Sequence, residues 1–143
     1  MNRYTSHSER ETQEIAVKLA TTLCPGDVVA LFGGLGMGKT AFVRGLAYGL
    51  GLDATQVCSP TFALMNEYRG PGIPTLYHFD MYRVQGEGAL YATGFYDYLS
   101  GQAILAIEWS ENIVHALPKG AIMVEIALGE GEGQRVITIW KCQ

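Results

Sequence analysis

Short unbroken apolar runs alternate along the chain with segments whose apolar residues return every three or four positions, the rhythm of strands alternating with helices. Near the start, Ser8-Glu9-Arg10-Glu11 fits a capping box. Ile15, Leu19 and Leu23 follow at four-residue spacing, predicting a helix that stops at Pro25-Gly26. Val28 to Phe32 is apolar throughout and bounded by turn residues, as expected of a strand buried on both faces of a parallel sheet. A second helix is predicted from Ala41 to Leu50, with Phe42, Val43, Leu46, Ala47 and Leu50 on one side and Gly51 ending it.

Strands are expected at Phe62 to Arg69 and Leu76 to Asp80, joined by Gly70-Pro71-Gly72-Ile73-Pro74 as a hairpin with a medium loop. A helical pattern from Gly86 to about Ser100 carries Leu90, Tyr91, Tyr98 and Leu99 and is interrupted by Thr93-Gly94. Ala103 to Ile107 is a second all-apolar run, closed by Glu108-Trp109. Alternating runs at Ile122 to Leu128 and Arg135 to Trp140 predict a terminal hairpin. These elements describe an α/β fold: one three-layer domain over residues 1–143, with a mainly parallel central sheet plus antiparallel hairpin strands.

Composition narrows the classes. With 143 residues, 48% apolar and 17% charged, the chain has the material for a core and is not disordered. No apolar run reaches the ~18–20 residues of a membrane span. Ten basic residues face fourteen acidic ones, giving a net charge of −4, so the chain carries no electrostatic footprint for gripping DNA or RNA unaided. Cys24, Cys58 and Cys142 form no CxxC or metal-ligand spacing, and the polar start shows no secretory signal; a cytoplasmic protein with reduced thiols is expected. Glycine is in excess, and seven of the eighteen fall between Gly33 and Gly51.

That cluster carries chemistry. Gly33-Gly34-Leu35-Gly36-Met37-Gly38-Lys39-Thr40 fits G-x-x-x-x-G-K-[ST] at every fixed position, after a buried strand and before a helix. Glycines let a backbone wrap phosphates with its N–H groups inward, and the helix N-terminus adds partial positive charge. Lys39 is then expected to reach the β- and γ-phosphates, and the Thr40 hydroxyl to hold Mg²⁺. An overlapping dinucleotide pattern, Gly36-Met37-Gly38-Lys39-Thr40-Ala41, needs an acid ~20 positions on at a strand end. Asp53 sits instead in a loop just after the helix, so the phosphate-loop (P-loop) NTPase reading prevails.

No N-K-x-D segment is present, which favours ATP over GTP. Glu108 ends the second buried run, where a Walker B acid for the metal belongs, or is a strand-end surface acid. Asp80 ends another strand and is a second candidate for metal or attacking water, or a turn residue. Asp27 precedes its strand and lies at the wrong end. His78, beside these groups, is catalytic or a structural strand histidine. Ser59-Pro60-Thr61 is placed like a γ-phosphate sensor or is a proline turn; Trp109 stacks on a ligand or fills an interface.

Four ordered motifs, GGLGMGKTAFVRG, SPTFALMNEY, YHFDMYR and IEW, closely resemble the bacterial TsaE (YjeE) family over nearly the whole chain. The resemblance implies a P-loop ATPase that binds ATP and Mg²⁺ and is needed for the threonylcarbamoyl modification of adenosine 37 in tRNAs reading ANN codons. It implies a complex with TsaB and TsaD, in which TsaD transfers the threonylcarbamoyl group and ATP hydrolysis resets the complex. The tRNA is then held only indirectly, through the partners. By position, Gly33 to Ala41 cradle phosphates and Lys39, Asp80 and Glu108 serve hydrolysis. Thr40, Glu108 and Asp80 serve the metal, Ser59 and Thr61 act as a switch, Trp109 flanks the site, and Thr12 lies near the base. Gly34, where the family usually has an acid, and Ala41, where it commonly has a hydroxyl, depart from the pattern. A free-standing small-molecule kinase and a nucleotide-sensing docking module without turnover are the alternatives. With six arginines and no arginine-rich lid insertion, the kinase is the poorer fit. An ATPase that is weak without its partners is expected.

Overall fold

The two apolar runs become neighbouring strands near the centre of one sheet. The computed structural model of the chain describes residues 1–60 and 63–143. Among these, the strands are β1 (Asn2–Ser6), β2 (Val28–Phe32), β3 (Met65–Gly70), β4 (Ile73–Asp80), β5 (Ile104–Glu108), β6 (Ile122–Leu128) and β7 (Arg135–Lys141). The helices are α1 (Glu9–Ala20), α2 (Lys39–Leu50), α3 (Glu87–Ala92) and α4 (Phe95–Tyr98), with 3-10 turns at Ala54–Gln56 and Ser110–Ala116. The sheet order is β1-β7-β6-β2-β5-β4-β3.

Side chains of a strand alternate between faces, and the central strands are apolar on both. Val29, Leu31, Ile104, Ala106, Val124 and Ile126 join Phe42, Val43, Leu46 and Ala47 of α2 and Ala16 and Ala20 of α1 in one core. Val28, Ala30, Leu105, Ile107 and Met123 face the other way, onto Leu90, Phe95 and Ile113. That second cover is thinner: α3, α4 and the Ser110–Ala116 turn, pinned by an edge-on contact of Phe79 and Phe95 with ring centroids 5.4 Å apart.

The sheet is mixed, with its central strands β6-β2-β5-β4 paired in parallel as expected and the hairpin strands antiparallel in β7-β6 and β4-β3. Several other expectations are corrected. An antiparallel edge strand, β1, pairs with β7 and is absent from the hydrophobic pattern because its first four residues are exposed. The first helix ends at Ala20, short of Leu23, although Ser8 caps it as expected by accepting the Glu11 N–H. The β3–β4 connection is tight, with Gly70 paired to Ile73, so Ile73 and Pro74 belong to the strand. Pro74 costs no ladder bond to β5, whose pairing starts at Leu76. The helical stretch after Gly86 breaks at Thr93-Gly94 into α3 and α4. The strand expected from Phe62 begins only at Met65, because Ala63 and Leu64 form a turn with Leu64 at φ 68°; Phe62 itself lies outside the described residues.

Candidate functional site

Three adjacent parallel strands end at one place. β2 runs into the loop Gly33–Gly38, β5 ends on Glu108 and β4 on Asp80, which is Glu108's direct partner in register. Parallel strands present their carboxyl ends to such a crevice. The loop leaves β2 hard against β6: a Cβ on Gly33, whose φ is +148°, would lie 2.5 Å from the Ile126 carbonyl oxygen. Gly38, at φ +108°, precedes α2 and offers no side chain to cap it, so the first-turn amides are left for a ligand. The result is a cleft of about 620 Å³.

Its polar groups are tightly connected. The Thr40 hydroxyl donates to Glu108 Oε2 at 2.8 Å. Lys39 Nζ donates to the Gly33 and Gly34 carbonyls, at 2.5 and 3.0 Å, and stands 3.8 Å from the centroid of the Trp109 ring. Burial pushes the Lys39 ammonium below the usual lysine range, opposed by the charges of Glu111, Glu108 and Asp80. Trp109 is held in the left-handed region (φ 59°), with the Tyr82 ring 4.8 Å away. Behind the carboxylate, His78 Nε2 lies 2.6 Å from Glu108 Oε2, and His78 Nδ1 3.0 Å from the Tyr68 hydroxyl. Such a donor set can grip an oxyanion at the loop and a hard cation at Thr40 and Glu108.

Of the residues singled out in the sequence, Thr12, Leu35, Gly36, Met37, Gly38, Lys39, Thr40, Ala41, Ser59, Asp80, Glu108 and Trp109 all line this cleft. Gly33 and Gly34 stand behind it, their carbonyls turned to Lys39. Thr61 lies outside the described residues. Asp27 is at the opposite end of β2, where it accepts the Cys24 N–H. Asp53 caps the Ala54–Gln56 turn through the Thr55 N–H.

Sequence reading passed over Glu111, Arg44, Arg135 and Tyr82. Glu111 accepts the Gly33 N–H at 3.1 Å, and its only signal was its place three residues after Glu108. Arg135 donates to the Met37 carbonyl and Arg44 to the Val57 carbonyl, and both line the cleft.

The profile of the family described as "Threonylcarbamoyl adenosine biosynthesis protein TsaE" matches residues 6–137. The chain belongs to the TsaE family. Its TsaE relatives include the tRNA threonylcarbamoyladenosine biosynthesis proteins of Rickettsia conorii, Bacillus subtilis and Treponema pallidum. The first is 42% identical over 123 residues, 86% of this chain and 69% of that one. The second is 40% identical over 128 residues, covering 90% and 78%. The third is 35% identical over 137 residues, covering 96% and 98%. Among solved structures, the crystal structure of Bacillus subtilis YdiB superposes with a TM-score of 0.79 at 32% identity, covering 99% of this chain and 86% of that one. The TsaE resemblance read from the four motifs is therefore borne out.

Proposed function

We propose that this chain is the ATP-binding and ATP-hydrolysing subunit of the machinery that places threonylcarbamoyl on tRNA, working with TsaB and TsaD. The observation that carries the reading is the 2.8 Å contact of Thr40 with Glu108, beside Lys39 and the uncapped N-terminus of α2. A hydroxyl and a carboxylate held together at the mouth of a phosphate loop are the two protein ligands that a nucleotide-bound magnesium ion requires. Among the described residues no group of three or more His, Cys, Asp or Glu is placed to hold a metal alone. That fits an ion whose remaining ligands are phosphate oxygens and water.

In this reading the loop amides and Lys39 bind the phosphates, and Thr40 and Glu108 hold the ion. When bound, magnesium neutralises the charge of the transferring phosphoryl group. Asp80 serves the ion or the attacking water, Ser59 and Thr61 act as a switch, Trp109 flanks the site, and Thr12 lies near the base. Turnover is slow until partners supply further groups, and tRNA is held by those partners, in keeping with the net charge of −4.

The test compares wild type, Lys39→Ala and Glu108→Gln for magnesium-dependent ATP hydrolysis and for tRNA threonylcarbamoylation with TsaB and TsaD present. Both variants are expected to lose turnover and modification. Lys39→Ala should also weaken ATP binding by about 10–100-fold, the value of a hydrogen bond to a charged group. Modification at the wild-type rate by Glu108→Gln would instead identify a docking module that needs ATP bound but not hydrolysed.

A further inference from the structure

The core of the α1–α2 side contains a polar chain that the cleft itself does not require. His78 is fully buried, and Tyr68 is nearly so, in one core with Leu76, Ile104, Ala106 and Phe42. Buried polar groups cost stability unless every one is partnered.

Here the partners form one line. Glu108 Oε2 receives the Thr40 hydroxyl from the cleft side and faces His78 Nε2 at 2.6 Å on the other. A carboxylate only accepts, so His78 Nε2 carries a proton and donates it to Glu108. The Tyr68 hydroxyl lies 3.0 Å from Nδ1 and 3.3 Å from the Cys58 carbonyl, so it bonds both the ring and the backbone of Cys58. The Tyr68 oxygen in turn receives the Cys58 N–H at 3.4 Å, while Asn66 Nδ2 donates to the Cys58 carbonyl at 3.1 Å. Burial holds the Tyr68 hydroxyl above the usual tyrosine range, so it stays a donor. Tyr68, His78 and Glu108 sit on β3, β4 and β5, three bonded neighbours in the sheet, so the line is built on rigid elements. It ends on Cys58, one residue before Ser59, which lines the cleft.

We propose that Tyr68 and His78 are positioning residues: they fix the Glu108 carboxylate from behind and tie it to the backbone of Cys58, so that the metal ligand and the Ser59 segment keep one geometry. The proposal rests on the reading of Glu108 as the magnesium ligand. Residues that hydrogen-bond a metal ligand set its orientation, and their loss typically costs 10–100-fold in metal affinity or activity.

The probe is ATP carrying an N-methylanthraniloyl group on its ribose, whose fluorescence on binding is followed as magnesium is titrated. His78→Asn, whose amide stops one bond short of the imidazole Nε2, should raise the magnesium midpoint about tenfold. His78→Gln restores an N–H at that reach and should stay within about twofold of wild type. Tyr68→Phe, which keeps the ring and removes the hydroxyl, should raise the midpoint by an intermediate factor. Melting temperatures establish that each variant is folded. In the unaltered protein, nitrogen-15 NMR should show His78 protonated on Nε2.

Equal midpoints for wild type and His78→Asn would overturn the proposal. So would equal losses in His78→Asn and His78→Gln, which signify a packing role alone, or a ring without a proton on Nε2 in the unaltered protein. An unchanged midpoint in Tyr68→Phe removes Tyr68 from it. Glu108→Gln separates the two readings: if its midpoint matches wild type, the magnesium assignment itself fails, whereas a lost midpoint beside an unaffected His78→Asn rejects only the positioning role.

Discussion

A Cβ on Gly45 of α2 would lie 2.7 Å from the Cβ of Ala16 on α1 and 2.4 Å from the Gln13 carbonyl oxygen. One turn on, a Cβ on Gly49 would lie 2.6 Å from the Cβ of Ala20. The two helices therefore meet backbone to backbone along a glycine–alanine seam. This seam brings Thr12, near the start of α1, to the cleft formed by the start of α2. A mid-helix glycine costs ~1 kcal/mol against alanine. The close approach to α1 offsets that cost.

Gly45→Ala is accordingly expected to destabilise the protein. The obstacle is backbone, which cannot swing aside, and overpacking of this kind costs about 1–3 kcal/mol against the ~1 kcal/mol gained in helix propensity. The urea midpoint should fall with an unchanged slope. A midpoint at or above wild type would show that α1 and α2 do not approach this closely.

The same seam explains what was hidden in the sequence. Spacing selected Ile15, Leu19 and Leu23, yet the buried stripe of α1 is Thr12, Ala16 and Ala20, with the larger residues flanking it. Helices that touch through small residues reverse the usual link between hydrophobicity and burial. By contrast, β2, β5 and the phosphate-loop motif were legible because each is local: an unbroken apolar run, or a spacing inside eight residues. Glu108 and Asp80 were legible as strand ends. Glu111 and Arg135 were not, because their contacts to Gly33 and Met37 span 78 and 98 residues, and only the sheet order brings them together.

Glu87 predicts a loss of stability in acid. Its carboxylate accepts the Tyr96 hydroxyl at 2.6 Å and contacts His115, which together hold it below its ordinary value of 4.5. The unfolded chain therefore takes up this proton first as pH falls. The contribution is fully present above about pH 4.5 and disappears as pH drops through the folded value. Melting curves of wild type and Glu87→Gln should differ at about pH 5 and by a shrinking amount as pH falls below about 4.5. A gap that stays constant into acid would contradict the assignment.

Trp109 should report on the loop. Its indole lies under the Lys39 ammonium, 3.8 Å from centroid to nitrogen, and a contact of this kind is worth about 0.5–1 kcal/mol when partly exposed. On the proposed reading, phosphates compete for the same ammonium. Adding magnesium–ATP should change tryptophan emission in wild type and leave Trp109→Phe unchanged, although Trp140 remains, stacked on Phe32 away from the cleft. An equal response in Trp109→Phe would assign the signal to Trp140 and separate Lys39 from the phosphates.

Glu111 is the last test, because its sign is opposite to that of the other acids. It bonds the Gly33 N–H and is the strongest of the three charges acting on Lys39, so it places negative charge where phosphates are expected. Glutamine retains an oxygen for the Gly33 N–H and removes only the charge. A unit charge near a surface, in a medium of intermediate dielectric, changes binding of an anion by about 0.5–1 kcal/mol after solvent screening. Glu111→Gln should therefore bind ATP about two- to fivefold tighter, with the gain shrinking as salt rises toward about 1 M and the Debye length falls to ~3 Å. Isothermal titration at two salt concentrations decides the matter. Weaker binding in Glu111→Gln would mean that this carboxylate helps to hold the magnesium ion, and the site would then contain a third acid beside Glu108 and Asp80.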